Sequence, residues 1–599
     1  HCLLRRQRQM CIRDRFKTEF AVLRSSEPRK SGYDKSASVY IDDFEASQNK
    51  LDLKDPLSWN LSSTPVGFSG FEFGNNDLRT GYNRAKLSWY TIDPIFYSSR
   101  RPSDITLEEI SKNSTRRIFI DEIFPELDLY QGESRIQSTF DLSFYPNERG
   151  PYNNNNELNF ISDTKQNWAG ITRKINSTNF QKTNVEYIQF WLLDDFSGFN
   201  TNDSEIGKIL FHLGNISEDI LADGKKQFEN GLPTQNENNF QLSNWGKTPT
   251  SQSLTYSFSS NLEDRKSQDL GYDGLDDTEE LSIYNNGNSQ DPANDNYQYY
   301  LDLSGDIVNR YKNYNNVQGN SPIQTTSNKR GSTNIPDVED VNNDNTMNRI
   351  DSYFQYSVPL FKNMSRENHP FIIDVRQNNV KLPNGNSINS RWLLFKVPIF
   401  KEYYEGKSIS QYFQSINGIN DLKSISFFRI ALSNFQKPVT LRFATLDLVK
   451  TDWKRFTLPL NQNNTLSSET NFEIGSVNIQ ENENRKPVNY ILPPGLEREE
   501  VFNNNSIIRQ NEQSLSLKVK NLLPKDSKAV YKNIELDLRQ YKKIKMYVHA
   551  ESLINEQKLP GDGIDHDFDE RLVAFLRLGS DINENYYQIE VPLKPTSFN

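Results

Sequence analysis

The sequence predicts a mainly β protein, built as two or three antiparallel β-sandwich modules of jelly-roll type with short helices in the connections. Three observations lead there. Apolar and polar residues alternate with period two through most patterned segments. Aromatic residues make up 12% of 599 residues, with 36 Phe and 28 Tyr, and rings and branched side chains suit pleated, half-buried surfaces. Polar tracts rich in Asn, Asp, Gly and Ser separate the strand-rich blocks, as turns and insertions do. The hydrophobic share is only 35%, but this many rings can build a core, which argues against wholesale disorder.

In chain order, strands are expected over 16–23, 118–120, 139–145, 187–193, 208–213, 393–398, 424–432, 440–449, 472–479, 544–550, 573–578 and 586–592. The strand at 139–145 is expected to stop at Pro146, because proline cannot donate to a ladder. Helices are expected over 107–112, 216–222 and 306–314. A strand–loop–strand unit recurs. Its copies are N-V-E-Y-I-Q-F-W-L-L-D-D-F then G-K-I-L-F-H-L-G (184–214), L-K-S-I-S-F-F-R-I-A-L-S-N-F then V-T-L-R-F-A-T-L-D-L (422–448), and Y-K-K-I-K-M-Y-V-H-A then L-V-A-F-L-R-L-G (541–579). Strands this apolar need a second layer over them, which a sandwich supplies.

Residues 1–15 stand apart. They hold five Arg against one Asp and both cysteines, Cys2 and Cys11. They lack the apolar stretch of a signal peptide and read as translated sequencing-adapter read-through, with a basic arm as the alternative. The expected organisation is then a strand end and connecting segment over 16–115, a first sandwich over 116–260, an Asp/Asn-rich insertion over 261–350, a second sandwich over 351–460 and a third over 461–599.

The formal charge of −10 argues against a nucleic-acid partner, which calls for a basic footprint. Beyond Arg15 there is no Cys, which excludes disulfides and thiolate zinc sites there. No apolar run is long enough for a transmembrane helix; membrane strands carry a weaker signal and stay open. The nucleophile elbow, the phosphate-binding loop and the H-E-x-x-H zinc motif are absent. The histidines His212, His369, His549 and His566 are far apart in sequence. His212 and His549 read as strand residues, and His369 as part of a turn. Carboxylate pairs are abundant. Asp194, Asp195 and Glu122 could serve a glycosidase, but nothing selects them over Asp42 and Asp43 or Glu499 and Glu500.

One spacing points to a metal. In D-V-N-N-D-N-T-M-N-R-I-D, oxygen side chains fall at loop positions 1, 3, 5, 7, 9 and 12: Asp340, Asn342, Asp344, Thr346, Asn348 and Asp351. Calcium takes six to eight oxygens from such a loop. Asn345 stands where glycine makes the sharp turn, and asparagine tolerates positive φ better than other non-glycine residues. The ion expected here is calcium, and the alternative is a solvated polar loop. A second acidic loop offers Asp269, Asp273, Asp276, Asp277 and Glu280 around Gly271 and Gly274.

Several strings are too particular to be generic β. They include Y-I-D-D-F-E-A-S-Q (40–48), R-A-K-L-S-W-Y-T-I-D-P-I-F-Y (84–97), F-Y-P-N-E-R-G-P-Y-N (144–153), N-W-A-G-I-T-R-K-I (167–175), E-Y-I-Q-F-W-L-L-D (186–194), P-V-N-Y-I-L-P-P-G (487–495) and F-L-R-L-G-S-D (575–581). In this order they resemble the SprA/Sov family of Bacteroidota, very large outer-membrane proteins of the type 9 secretion system that are linked in gliding bacteria to surface motility. The resemblance runs from about Phe16 to the last residues and implies an internal fragment of a longer chain. It implies a giant outer-membrane β-barrel that passes folded cargo proteins to the cell surface of a Gram-negative bacterium, with plug and shuttle proteins as partners and no catalytic residues. These sandwiches would be its extramembrane part, with only 16–25 reading as a barrel-strand end. Two other readings stay open on the residues alone: a cell-surface adhesin or carbohydrate-binding sandwich, and a glycosidase.

Overall fold

The computed structural model describes residues 44, 48–127, 129, 132–156, 160, 163–176, 178–196, 198–199, 205–229, 232, 240–250, 258–259, 261–284, 290–321, 337–456, 470–483, 489–493, 498, 500–503, 506–524, 526–534, 541, 543–551, 572–579 and 584–594. The basic start at 1–15, the strand at 16–23, Asp42, Asp43, Glu499 and His566 lie outside them. The chain divides into two compact units, one of Lys50–Ile123 and Ile136–Lys450, the other of His1–Asn49, Phe124–Arg135 and Thr451–Asn599.

Up to Thr451 the strands are β1 (Gln48–Asp52), β2 (Asn60–Leu61), β3 (Ala85–Tyr90), β4 (Phe140–Arg149), β5 (Trp168–Lys174), β6 (Val185–Leu193), β7 (Gly207–Asn215), β8 (Phe240–Ser243), β9 (Gly246–Pro249), β10 (Ser352–Leu360), β11 (Ile372–Lys381), β12 (Ser387–Pro398), β13 (Phe413–Ile416), β14 (Phe427–Ser433) and β15 (Val439–Thr451). One sheet runs β11-β12-β6-β15-β4-β3, with β1 also paired to β15; the other runs β13-β10-β7-β14-β5-β2. Their ladders are antiparallel. If the eight central strands (β4, β5, β6, β7, β10, β12, β14, β15) are numbered one to eight, the sheets read 1-8-3-6 and 2-7-4-5. That is the order of a jelly roll, two interlocked Greek keys. The sequence blocks 116–260 and 351–460 are therefore not separate sandwiches, because their strands alternate within both sheets. Neither block has enough strands to cover its own apolar faces. The first two copies of the repeat are β6–β7 and β14–β15, and they pair with each other at the centre, β6 on β15 and β7 on β14.

Alternation sets what points inward. Ile188, Phe190 and Leu192 of β6 meet Ile209, Phe211 and Leu213 of β7 and Phe428, Ile430 and Leu432 of β14 in one core. Phe190 stacks on Phe395 at 4.8 Å and approaches Phe211 at 5.5 Å across the two layers. In β15 the inward set changes phase, from Leu441 and Phe443 to Leu446 and Leu448. A register shift between Phe443 and Thr445 accommodates this. The extra residue of this bulge, Ala444, keeps apolar side chains inward across the break. β4 does not stop at Pro146. The ladder to β3 jumps from Tyr145 to Arg149, so Pro146 sits in a bulge where no donor is required.

The outer faces are covered too. Tyr90, Ile92, Phe96, Ile105, Ile110, Tyr300, Ile307 and Tyr311 form a small core that includes β3. The polar residues beneath this cover are paired. Arg442 Nε donates to Asp141 Oδ1 at 3.2 Å, with both side chains nearly inaccessible. On the other sheet, Arg429 Nε donates to His212 Nδ1 at 2.7 Å, and His212 Nε2 meets Gln355 at 3.0 Å. A third core holds Tyr152, Ile220, Leu221, Trp245, Tyr272, Tyr284, Ala293 and Val317. It belongs to the Asp/Asn-rich region with the β8–β9 hairpin.

Among the described residues the α-helices are α1 (Phe180–Thr183), α2 (Leu262–Lys266), α3 (Asp277–Glu280), α4 (Ile307–Arg310) and, in the second unit, α5 (Ile479–Asn482). The segment at 107–112 supplies only a 3-10 turn, Glu109–Ser111. The segment at 216–222 is not helical, and 118–120 is not a strand. In the second unit the described strands are β16 (Lys454–Phe456), β17 (Asn471–Asn478), β18 (Glu500–Asn503), β19 (Ser506–Arg509), β20 (Gln513–Lys520), β21 (Ala529–Tyr531), β22 (Val573–Gly579) and β23 (Tyr586–Pro592). They form two-stranded ladders: β16-β21, β17-β20, β18-β19 and β22-β23. Among the described residues of 461–599 there is no two-layer sandwich, and 544–550 is not a strand. β22 and β23 carry no buried residues, and among the described residues no second layer packs on them.

Candidate functional site

The carboxylates that a glycosidase reading would use are structural. Glu122 accepts from Arg116 Nη1 and Nη2 at 2.9 Å each, and from Ser390 Oγ at 3.0 Å. Asp194 pairs with Arg391, and Asp195 accepts from Asn113 Nδ2 at 3.1 Å. Each is spent holding a covering segment or a strand end. His369 sits among the rings of Phe361, Phe371 and Phe395. Its Nδ1 accepts from Phe371 N at 3.1 Å, so Nε2 carries the proton and donates to Pro359 O at 3.0 Å.

The loop at 340–351 forms a tight turn with the shape the spacing implies. Asp340 accepts from Asp344 N at 3.0 Å and Asn345 N at 2.9 Å, and Asn345 adopts φ +66°. Its polar groups, however, do not converge on one point. Lys226 Nζ lies 2.8 Å from Asp340 Oδ2. Asn342 donates to Asp344 Oδ2, and Thr346 Oγ1 donates to Asp344 Oδ1. Asn348 donates to Ile216 O, and Asp351 accepts from Ser217 N. The main-chain N–H groups of Val341, Asn342 and Asn348 all point at one carboxylate, Glu218, at 2.6, 3.2 and 2.8 Å. Burial pushes Glu218 up to about 7, against those donors. A ring of donors suits an anion, which Glu218 already provides. The sequence pattern missed Glu218 because it lies over a hundred residues away.

Three other groups of carboxylates do converge among the described residues, each with ligand atoms within 4.8 Å of one another: Asp219, Asp223 and Glu339; Asp273, Glu280 and Asp295; and Asp277, Glu280 and Asp291. The first is internally satisfied. Glu339 accepts from Ile220, Leu221 and Gln227 N–H groups. Asp219 accepts from Asp223 and Gly224, and Asp223 from Lys225 and Gln227.

The second and third groups share Glu280 and lie beside the core of the Asp/Asn-rich region. Gly271 (φ +71°) and Gly274 (φ +69°) shape the turn that carries Asp273, and a Cβ on Gly271 would overlap Asp295 Oδ2. Asp276 caps α3 by accepting from Thr278 and Glu279 N–H, which places Glu280 on the first turn facing inward. Asp273, Glu280 and Asp295 are each 0% exposed. Asp273 accepts from Leu275 N and from Tyr284 Oη, both at 3.0 Å. Glu280 Oε2 accepts from Ala293 N at 2.9 Å. Glu280 Oε1 and both oxygens of Asp295 have no donor. Burial, then the neighbouring carboxylate charges, pushes Asp295 and Glu280 well up. Burial raises Asp273 too, against its two hydrogen bonds. The nearby cation is Lys86, which donates to Asn316 Oδ1 at 2.9 Å. Burial holds Lys86 down at about 8, opposed by Asp291 and Asp295. From the second acidic loop, Asp273, Asp277 and Glu280 thus meet at this place. Asp276 serves as a helix cap, and Asp269 accepts from Gly319 N at 2.9 Å.

The SprA_N family model, described as a motility related/secretion protein, matches residues 275–599. No curated protein matches the chain.

Proposed function

The chain belongs to the SprA/Sov family of motility-related and secretion proteins, and from that premise we propose that it forms extramembrane β-modules of an outer-membrane channel that exports folded proteins to the cell surface. The family match over 275–599 carries this reading. The family is one of secretion and motility proteins of the cell envelope rather than of enzymes. The architecture supports a passive structural role: the carboxylates Glu122, Asp194 and Asp195 are engaged in ion pairs and hydrogen bonds. Such a module supplies shape and a polar wall, and its partners are secreted cargo, plug and shuttle proteins, and the outer membrane through the parent barrel. A wide export pore needs its sheet edges closed or covered, because exposed edges pair with passing chains.

The test is photocrosslinking in cells that carry the parent gene. A photoreactive residue is placed at exposed positions of this segment, such as Leu57, Leu242 and Ile350, while export of a surface protein is stalled. Crosslinks to the stalled cargo are expected. Normal cargo delivery after in-frame removal of 48–450, combined with glycan binding by the purified chain, would replace this reading with the adhesin one.

A further inference from the structure

We propose that Asp273, Glu280 and Asp295 bind a calcium ion, flanked by Asp277 and Asp291, which ties the turn at 271–280 to the turn at 291–296. The convergence of carboxylates is one observation. The second is independent of it: Glu280 Oε1 and both oxygens of Asp295 are fully buried with no donor, so whichever Asp295 oxygen enters the cluster enters it unpartnered. Buried carboxylates are otherwise held by donors or by a counter-charge. The other carboxylate trio shows the contrast, since backbone N–H groups and the Gln227 side-chain amide occupy its oxygens.

The ligand chemistry selects the ion. Every ligating group in the two sets is a carboxylate, with no His or Cys, which suits a hard cation rather than zinc or copper. Calcium binds oxygens at about 2.3–2.6 Å, so ligands on opposite sides of it lie up to roughly 5 Å apart. These oxygens lie within 4.8 Å of one another, inside that span. Magnesium demands a tighter octahedron and keeps its waters, which three fully buried carboxylates do not favour. Gly271 has a part in the geometry, since a Cβ there would overlap Asp295 Oδ2. Tyr284 Oη holds the second oxygen of Asp273, and Ala293 N holds Glu280. Both contacts fix the carboxylates in place, and that on Glu280 leaves its Oε1 without a donor. Protonation is the rival way to relieve the same crowding, and it predicts no response to calcium.

The test uses the full 599-residue chain, stripped with EDTA and titrated with calcium chloride. The melting temperature of the first unit should rise by about 3 °C at a calcium concentration roughly 100 times the dissociation constant. Terbium should give sensitised luminescence that calcium competes away and magnesium does not. In Asp295→Asn the calcium shift should vanish, while the melting temperature in EDTA should not fall below wild type, because a buried charge has gone. Should D295N not fold, Glu280→Gln carries the same test. Asp340→Asn should keep the full shift. The proposal is overturned if calcium to 5 mM (about 500 times a 10 μM dissociation constant) moves neither readout. It is also overturned if D295N responds like wild type, or if D340N abolishes the response.

Discussion

Replacing Glu122 with Gln removes the counter-charge of a guanidinium that has nowhere else to go. Arg116 is 1% exposed and Glu122 3% exposed. The carboxylate accepts both terminal nitrogens of Arg116 at 2.9 Å, Phe119 N at 3.1 Å and Ser390 Oγ at 3.0 Å. An amide keeps one acceptor and turns an NH₂ toward the NH₂ of arginine. Arg116 then stays buried and charged, because a guanidinium cannot shed its proton. Breaking such a pair costs about 3–5 kcal/mol, a large share of the roughly 5–15 kcal/mol typical of a folded domain. The assay is urea unfolding at pH 7 followed by tryptophan emission, since six of the seven tryptophans lie in the jelly-roll unit. The midpoint should fall with an unchanged slope. The double variant Arg116→Met with Glu122→Leu should recover at least about 2 kcal/mol of the summed single losses, because an apolar pair needs no counter-charge. A loss under about 1 kcal/mol for E122Q, or strict additivity in the double variant, would refute the account of the covering segment as held by this pair.

Burial holds His369 down at about 4, against its hydrogen bond to Pro359. Above about pH 6.5 folded and unfolded chains both carry it neutral, and below that only the unfolded chain gains the proton. Wild type should therefore lose about 1.4 kcal/mol per pH unit relative to His369→Gln between about pH 6.5 and 4, as read by denaturation midpoints; parallel curves would sink the assignment. Deletion of Ala444 removes the bulge that re-phases β15, turning Leu446 and Leu448 outward or Leu441 and Phe443 out of the core. Burying an apolar side chain is worth about 1.5–3 kcal/mol, so the deletion should cost more than about 3 kcal/mol in the same unfolding assay, whereas Ala444→Gly should cost about 1 kcal/mol or less.

The fold class was legible because the central strands β6, β7, β14 and β15 carry an unbroken apolar inward set and are buried on their outer faces as well. V-E-Y-I-Q-F-W-L-L is buried at every position of β6, and such a run stands out in any sequence. The partition into modules was not legible, because pairing between β6 and β15 spans some 250 residues and nothing local encodes it. The expected helix at 216–222 shows a different failure. Its apolar residues serve two cores, Ile216 with Val341 and Phe427, and Ile220 and Leu221 with Trp245 and Tyr272. Between them, Glu218 and Asp219 accept main-chain donors. Spacing of three and four residues is helical only when one partner surface is being addressed. The acidity of 269–280 was visible, but Asp295 was not singled out. A sequence shows how many carboxylates there are, and only the packed structure shows which of them lack a donor.

The low hydrophobic share, 35%, has a structural cause that composition alone would misassign to exposure. Each sheet of this jelly roll is covered on its outer face by long connections with little regular structure, and those faces are polar. Ser143, Asp141 and Arg442 lie under one cover, and Thr172, His212 and Arg429 under the other, all buried. An apolar outer face would pack against almost any greasy segment. A face set with Arg442 accepts only a segment presenting carbonyls where Asn113 and Arg116 present theirs, at 2.8 Å each. Buried charge pairs contribute little net stability compared with apolar packing. Their effect here is to fix which connection lies on which sheet, in a chain whose connections are long enough to settle in several ways. A calcium ion between the turns at 271–280 and 291–296 would extend the same logic to a region whose own apolar core is small.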